Sequence, residues 1–275
     1  MRAGNMAIPN FKSTFLVAAM VVAMTMFAVD AKSQARQSAL TTPLDPLRPG
    51  ISENQLFAEL ATRNQRRSAR LLGYTSLRTY KVVDLKGKVH AEEIGRMDYH
   101  APDKKTFVVT SERGSALIRH LALNALIASE IETASGKEHH DSAITPANYN
   151  LELIGEQQIG PYRCFVARAS PKRRDKYLFE GKVWIDAQDF AVVRIEGRPA
   201  KKLSFWITHA DFVRQYQRIE GFWLPQKDET VVQVRLYGKK VLTIAHESYV
   251  VNASRNKQGQ QFIEEASTQA VADKH

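Results

Sequence analysis

The chain has 275 residues, of which 44% are hydrophobic and 25% charged, with a net charge of +10. That is enough apolar material for a sizeable core without covalent staples, and a single cysteine, Cys164, excludes an intramolecular disulfide. An excess of positive charge outside the cell meets anionic lipid headgroups or polymers more often than nucleic acid, or simply keeps the protein soluble.

Residues 1–35 read as a secretory signal. Arg2 and Lys12 make a basic start, residues 13–29 carry no charge, and Ser33 and Ala35 (or Val29 and Ala31) suit a cleavage site. The apolar stretch is about 15 residues, short of the roughly 18–20 that span a bilayer, so cleavage is favoured over the rival reading of an uncleaved anchor. No cysteine lies near the cleavage positions, which excludes lipid attachment at an N-terminal cysteine. The expected location is exported and periplasmic, soluble after cleavage. Residues 36–50, rich in proline, serine and threonine, read as a disordered lead-in, 51–252 as the folded unit, and 253–275 as a polar, flexible tail.

Ser52 is a helix cap with Gln55 as its capping-box partner, and predicts a helix to about Arg70, ended by Gly73. Leu56, Phe57 and Leu60 form its apolar face, and Arg63, Arg66, Arg67 and Arg70 its basic one. The period then changes to two, predicting strands over 74–83, 87–100 and 104–112, separated by Lys86-Gly87 and Ala101-Pro102-Asp103. A second helix is predicted from Ser115 to about Ser135, with an unusually wide apolar stripe that includes Leu117, Leu121 and Leu126. From residue 149 the strand pattern is nearly continuous: 149–157, 161–169, 176–187, 190–197, 203–217, 222–237 (interrupted near Pro225) and 240–251. The expected fold is α+β: a curved antiparallel meander of about 10–11 strands, closed into a barrel or left as an incomplete one, covered by two helices.

No catalytic constellation is legible: there is no nucleophile elbow, phosphate loop or dinucleotide fingerprint. Glu92 and Glu93 are adjacent on a strand and point to opposite faces, the wrong geometry for shared acid–base chemistry. His139-His140-Asp141 lacks a third ligand at metal spacing, so neither a metal nor another cofactor is expected. Cys164 lies in a strand-like run and reads as a buried apolar residue rather than a nucleophile. The aromatic motifs carry more information. Trp184, Phe205, Trp206, Phe222 and Trp223 sit on strands or beside turns, where they either pack the core or line an apolar ligand pocket.

The segments 181–186, 194–197, 204–207 and 221–225, with their Trp184, Phe205-Trp206 and Phe222-Trp223-Leu224-Pro225 motifs, resemble a group of exported bacterial proteins. These are the outer-membrane lipoprotein-sorting proteins, related in fold to the periplasmic carrier LolA and to regulators of the RseB type. The resemblance runs from about Glu53 to Val250. It implies an incomplete β-barrel with helices across its open side, and an apolar cavity for the acyl chains of a lipoprotein or lipid. On that reading Leu117, Leu121, Leu126, Trp184, Phe205, Trp206, Phe222 and Trp223 line the cavity and its lid. Arg63, Arg66, Arg67 and Arg70 would meet headgroups or a partner. The implied function is a non-enzymatic carrier of a lipidated protein or lipid, in peripheral contact with membrane or envelope proteins. The alternative is an envelope regulator or sensor of the same fold that binds a peptide or lipidated partner, and an uncharacterised hydrolase is a third, disfavoured by the missing motifs.

Overall fold

The computed structural model describes residues 44–46, 50–132, 142–203, 205, 207–236 and 238–253. The signal segment, most of the lead-in, His139-His140-Asp141, Trp206 and the tail beyond 253 lie outside them.

Helix α1 (Glu53–Arg70) opens on the capping box read from the sequence: Ser52 Oγ accepts from the Gln55 amide, and Gln55 Oε1 accepts from the Ser52 amide at 2.9 Å. It ends without a turn. Leu71, its C-cap, is already extended and begins strand β1 (Leu71–Asp84). Gly73 is therefore a strand residue and not a helix terminator. A Cβ there would lie 2.5 Å from the Tyr99 carbonyl oxygen of the neighbouring strand, so glycine is required for close backbone approach.

The other strands are β2 (Val89–His100), β3 (Lys104–Gly114), β4 (Tyr149–Ile159), β5 (Tyr162–Pro171), β6 (Phe179–Asp186), β7 (Val192–Pro199), β8 (Ile207–Ile219), β9 (Phe222–Val234) and β10 (Gly238–Ala253). Between β3 and β4 runs the second helix. It is built from α2 (Ala116–Ile118), a π-helical turn (Arg119–Leu123) and α3 (Asn124–Glu132). Ser115 caps its start by accepting from the Ile118 amide.

The ten strands make one curved antiparallel sheet in the order β3-β2-β1-β10-β9-β8-β7-β6-β5-β4. It is not closed: β3 and β4 are its two edges. The expected meander is present as two runs, and the departure is at their junction. The second helix carries the chain from one edge to the other, so β3 and β4 do not pair, and β1 pairs with β10 instead. The β4 edge is partly covered, because Asp45 makes a two-bond bridge with Glu156, each bond 2.9 Å.

Cross-strand partners share a face of the sheet. One row of partners crosses all ten strands: Glu112, Glu93, Tyr80, Ile244, Asp228, Arg214, Ile195, Val183, Ala167 and Leu153. Both helices lie on this inner face. Leu56, Phe57 and Leu60 of α1 pack on Phe165, Ala167, Val183, Ile185 and Ile195. Leu123 and Ile127 of the second helix pack on Tyr80, Val82 and Ala91. The outer face holds a smaller cluster of Cys164, Val166, Trp184 and Val193, which alternates along β5 and β6 with the inward-facing residues.

One break interrupts this sheet. The β9–β10 ladder runs from Gly238↔Val234 to Ala245↔Lys227 and stops. Beyond it the start of β9 pairs only with β8, and the end of β10 only with β1. Pro225 sits on the diverging stretch of β9. Proline has no N–H for a ladder and belongs on a locally free strand edge, so the interruption expected there falls in the pairing rather than in the strand itself.

Candidate functional site

The inner face has two apolar patches, one under each helix, and a charged strip between them. Arg78, on β1, is fully buried. Its guanidinium donates to the Glu130 carboxylate on α3, and at 3.4 Å to Ser76 Oγ and the Tyr74 hydroxyl. Glu130 also accepts from the Tyr80 hydroxyl at 3.0 Å and from Lys105 Nζ at 3.2 Å. Burial alone would raise the pKa of Glu130, but Arg78 and Lys105 outweigh it and hold the carboxyl at about 2.

The strip continues on neighbouring strands. His246 is the cross-strand partner of Arg78, and its Nε2 lies 3.1 Å from Asp228 Oδ2. Arg214 Nε donates to Asp228 Oδ1 at 2.5 Å. Burial lowers the pKa of His246, a shift that Asp228 opposes and Arg78 reinforces. Buried His246 Nδ1 has no hydrogen-bond partner among the described residues. The Arg214 side chain retains 48% of its accessible surface, so solvent reaches the strip between the helices. Lys105, Glu130, Arg78, His246, Asp228 and Arg214 thus form one run of mostly alternating charge across the inner face.

None of these residues was selected from the sequence. The signal was there for Arg78: Tyr74, Ser76, Arg78, Tyr80 and Val82 share one strand face and are all buried. Glu130 follows Leu126 and Ile127 on the apolar side of its helix and has no such local marker.

The residues that were selected are scattered. Leu126 packs half-buried in the cluster under the second helix, Leu121 is half-buried in the π turn, and Leu117 is 53% exposed. Phe222 is buried on the inner face with Tyr74 and Leu224. Trp184 lies on the outer face, where its indole N–H donates to Gln157 Oε1 at 2.7 Å. Trp223 joins the edge of that outer cluster, stacks edge-on with Tyr162 at 4.7 Å and donates to Asp189 Oδ2 at 3.0 Å. Phe205 is 70% exposed, with the Arg235 guanidinium 4.5 Å from its ring centre. The structure therefore places Leu126 in the cluster under the second helix and Trp184 and Trp223 on the opposite face, and does not gather the selected residues into one site.

The basic residues of α1 also divide. Arg67 donates to the backbone carbonyls of Asp189 and Phe190 at 2.8 and 3.2 Å, tying the helix to the β6–β7 turn. Arg63 lies 5.7 Å from the Phe190 ring and Arg70 5.7 Å from the Phe222 ring. Arg66 is exposed. Cys164 is buried, and burial pushes its thiol up to about 12. Among the described residues no group of three or more His, Cys, Asp or Glu side chains could hold a metal ion. Among them too, no helix is long and apolar enough to cross a membrane.

No protein-family model matches the sequence, and no curated protein does. Solved structures are similar at low identity. An outer membrane lipoprotein-sorting protein domain from Vibrio parahaemolyticus is similar at 11% identity and a TM-score of 0.45, over 73% of this chain and 94% of that one. A LolA superfamily protein of Nitrosomonas europaea is similar at 8% identity and a TM-score of 0.33, over 76% and 97%. In the MucA/MucB complex of Pseudomonas aeruginosa a chain is similar at 11% identity and a TM-score of 0.25, over 71% and 100%. The α+β architecture expected from the sequence, a curved open antiparallel sheet with two helices on one face, is the one observed.

Proposed function

We propose that the protein is a non-enzymatic carrier in the bacterial envelope that binds the acyl chain of a lipid or lipidated protein between its inner sheet face and its second helix. The observation that carries this reading is the incomplete packing of that helix. Of its many apolar residues only Ala122, Leu123 and Ile127 are buried, while Leu126 and Ile131 are half-covered although they lean on an apolar patch, and Leu121 in the π turn is half-covered as well. A helix this apolar costs free energy while uncovered, and an acyl chain would recover about 0.8 kcal/mol per methylene buried. The π turn marks where the helix is irregular, a feature frequent at functional sites.

Binding of a fluorescent fatty-acyl probe to the purified protein tests the reading. Leu121→Asp should weaken it about tenfold or more, since a carboxylate is then set in the acyl path. Arg66→Ala, on the exposed side of α1, should leave it nearly unchanged. No probe binding, together with no lipid found by native mass spectrometry of protein taken from its own envelope, overturns it.

A second reading, a regulator that holds a peptide, is favoured by the free edge of the sheet. Strand β3 is largely exposed, with Val108 and Val109 at 50% and 42%, and such an edge can accept an added strand. A stoichiometric protein partner captured with the acyl site empty would select it.

A further inference from the structure

On the outer face, where β9 and β10 diverge, there is a second concavity that the acyl reading does not use. One hollow of about 490 Å³ is lined by Gln215, Gln217, Gln226, Lys227, Glu247 and Ser248 among others. A second of about 310 Å³ lies beside it, against Tyr162, Val193, Arg194 and Arg218, and shares Gln215, Gln217 and Gln226 with the first. The two form one groove with three glutamines along its middle. Both volumes fall within the roughly 300–1,000 Å³ typical of small-ligand sites.

We infer that this groove is a binding site for an uncharged, hydroxyl-rich oligosaccharide. Three exclusions lead there. An acyl chain would strand the amides and the Glu247 carboxylate without hydrogen bonds. An anion finds each basic side chain of the lining already engaged: Arg194 pairs with Glu196 at 2.5 Å, Arg218 with Asp189 at 2.9 Å, Lys227 with Glu229 at 2.9 Å and His246, which also lines the larger hollow, with Asp228 at 3.1 Å. An inserted peptide strand does not fit the split. Gln217 Nε2 reaches both the Pro225 carbonyl at 3.5 Å and the His246 carbonyl at 3.4 Å. One amide nitrogen thus spans the lips, which are closer than the two strand spacings of roughly 9.6 Å that an intervening strand needs. Tyr249 closes the split further, its hydroxyl donating to the Pro225 carbonyl at 2.8 Å.

What remains suits sugar hydroxyls. The Gln215 and Gln226 amides each offer two donors and an acceptor, Gln217 keeps its amide oxygen as an acceptor, Ser248 adds a donor and acceptors, and Glu247 adds acceptors. Ile159, Pro161, Tyr162 and Val193 supply an apolar flank at one end for the C–H face of a pyranose ring. Tyr74, Phe222, Leu224 and Tyr249 pack together on the inner side of the split, and Tyr249 with Ile219 also lines the larger hollow, so this cluster forms the floor of the groove.

The test is titration of the purified full chain with chitotriose and maltotriose, followed by calorimetry and saturation-transfer NMR. Saturable binding of at least one sugar is expected. Gln226→Ala and Gln215→Ala should each weaken it about tenfold, the loss of one well-placed hydrogen bond. Gln65→Ala, on exposed α1, should not. Circular dichroism of each variant checks that the fold is kept. Failure of both sugars to bind, or binding that survives both groove substitutions, overturns the inference. So does saturable binding of an extended peptide at Gln215 and Gln226 with no response to sugar.

Discussion

The Arg78 guanidinium and the Glu130 carboxylate meet in the interior, one on the sheet and the other on the helix that covers it. Arg78 has no exposed surface, so its charge depends on that partner. Truncating one member of a buried pair costs about 3–5 kcal/mol, because the other is left desolvated and uncompensated. Glu130→Ala should therefore lose about that much in urea unfolding. A double variant with apolar replacements, Arg78→Met with Glu130→Leu, should recover most of it, since both desolvation costs vanish together.

The same strip makes stability depend on pH. Glu130 has its folded pKa held below the unfolded value. Its contribution is complete above the unfolded carboxylate range and is lost as pH falls toward about 2. His246 also has a lowered folded pKa. The unfolded chain then takes up the proton first, so stability falls as pH drops below about 6.5 and levels off below the folded value. Both act in the same direction. Unfolding free energy followed from pH 8 to pH 3 should decline in two phases, with His246→Asn removing the upper one and Glu130→Gln flattening the lower.

Cys164 should be inert in the folded protein. Its thiol is buried and pushed up to about 12, leaving almost no thiolate at pH 8. Ellman's reagent should label nothing in native buffer and one thiol per chain in denaturant. Rapid native labelling would contradict this burial.

Gly181 faces its neighbour strand too closely for any side chain. A Cβ there would collide with the Glu196 carbonyl oxygen. Backbone cannot yield as a side chain does, so Gly181→Ala should cost about 3 kcal/mol, the upper range of overpacking, seen as a lower melting temperature. Gly87→Ala is a useful contrast: nothing lies within 4 Å of its Cβ, and only its φ of +84° opposes the change.

Local signals were legible and distant ones were not. Ser52 and Gln55 announced α1 because a cap is written within four residues. The strands showed through alternation, and the turn at Glu220-Gly221 through its residue types; both have positive φ. The pairing of β1 with β10 has no local mark, since period and turn chemistry say where strands are and not which ones meet. For the same reason the faces of the tryptophans were open. Trp184 looked like a cavity residue by type, and only the register of β5, β6 and β7 shows it to be on the outer side with Cys164. The charged strip was missed because its members come from β1, β3, β8, β9, β10 and α3, and charged residues on strands are read as solvated until their neighbours are known.

The junction of β1 and β10 also bears on the order in which the protein can be assembled. Strands β1 to β3 and the second helix are complete by residue 132, yet the strand that joins them to the rest is the last one, Gly238–Ala253. Contacts between such distant segments pay their loop entropy before they return any packing. A chain made from its N-terminus would therefore hold two antiparallel stacks, each with an unpaired strand and bare apolar surface, until Gly238–Ala253 is available. His246 travels on that final strand, so Arg78 would wait until the last moment for its neighbour. A chaperone that shields strand edges would have its greatest effect on this protein in that interval, and shortening the chain within β10 would leave two half-sheets with no strand pairing between them, linked through α1.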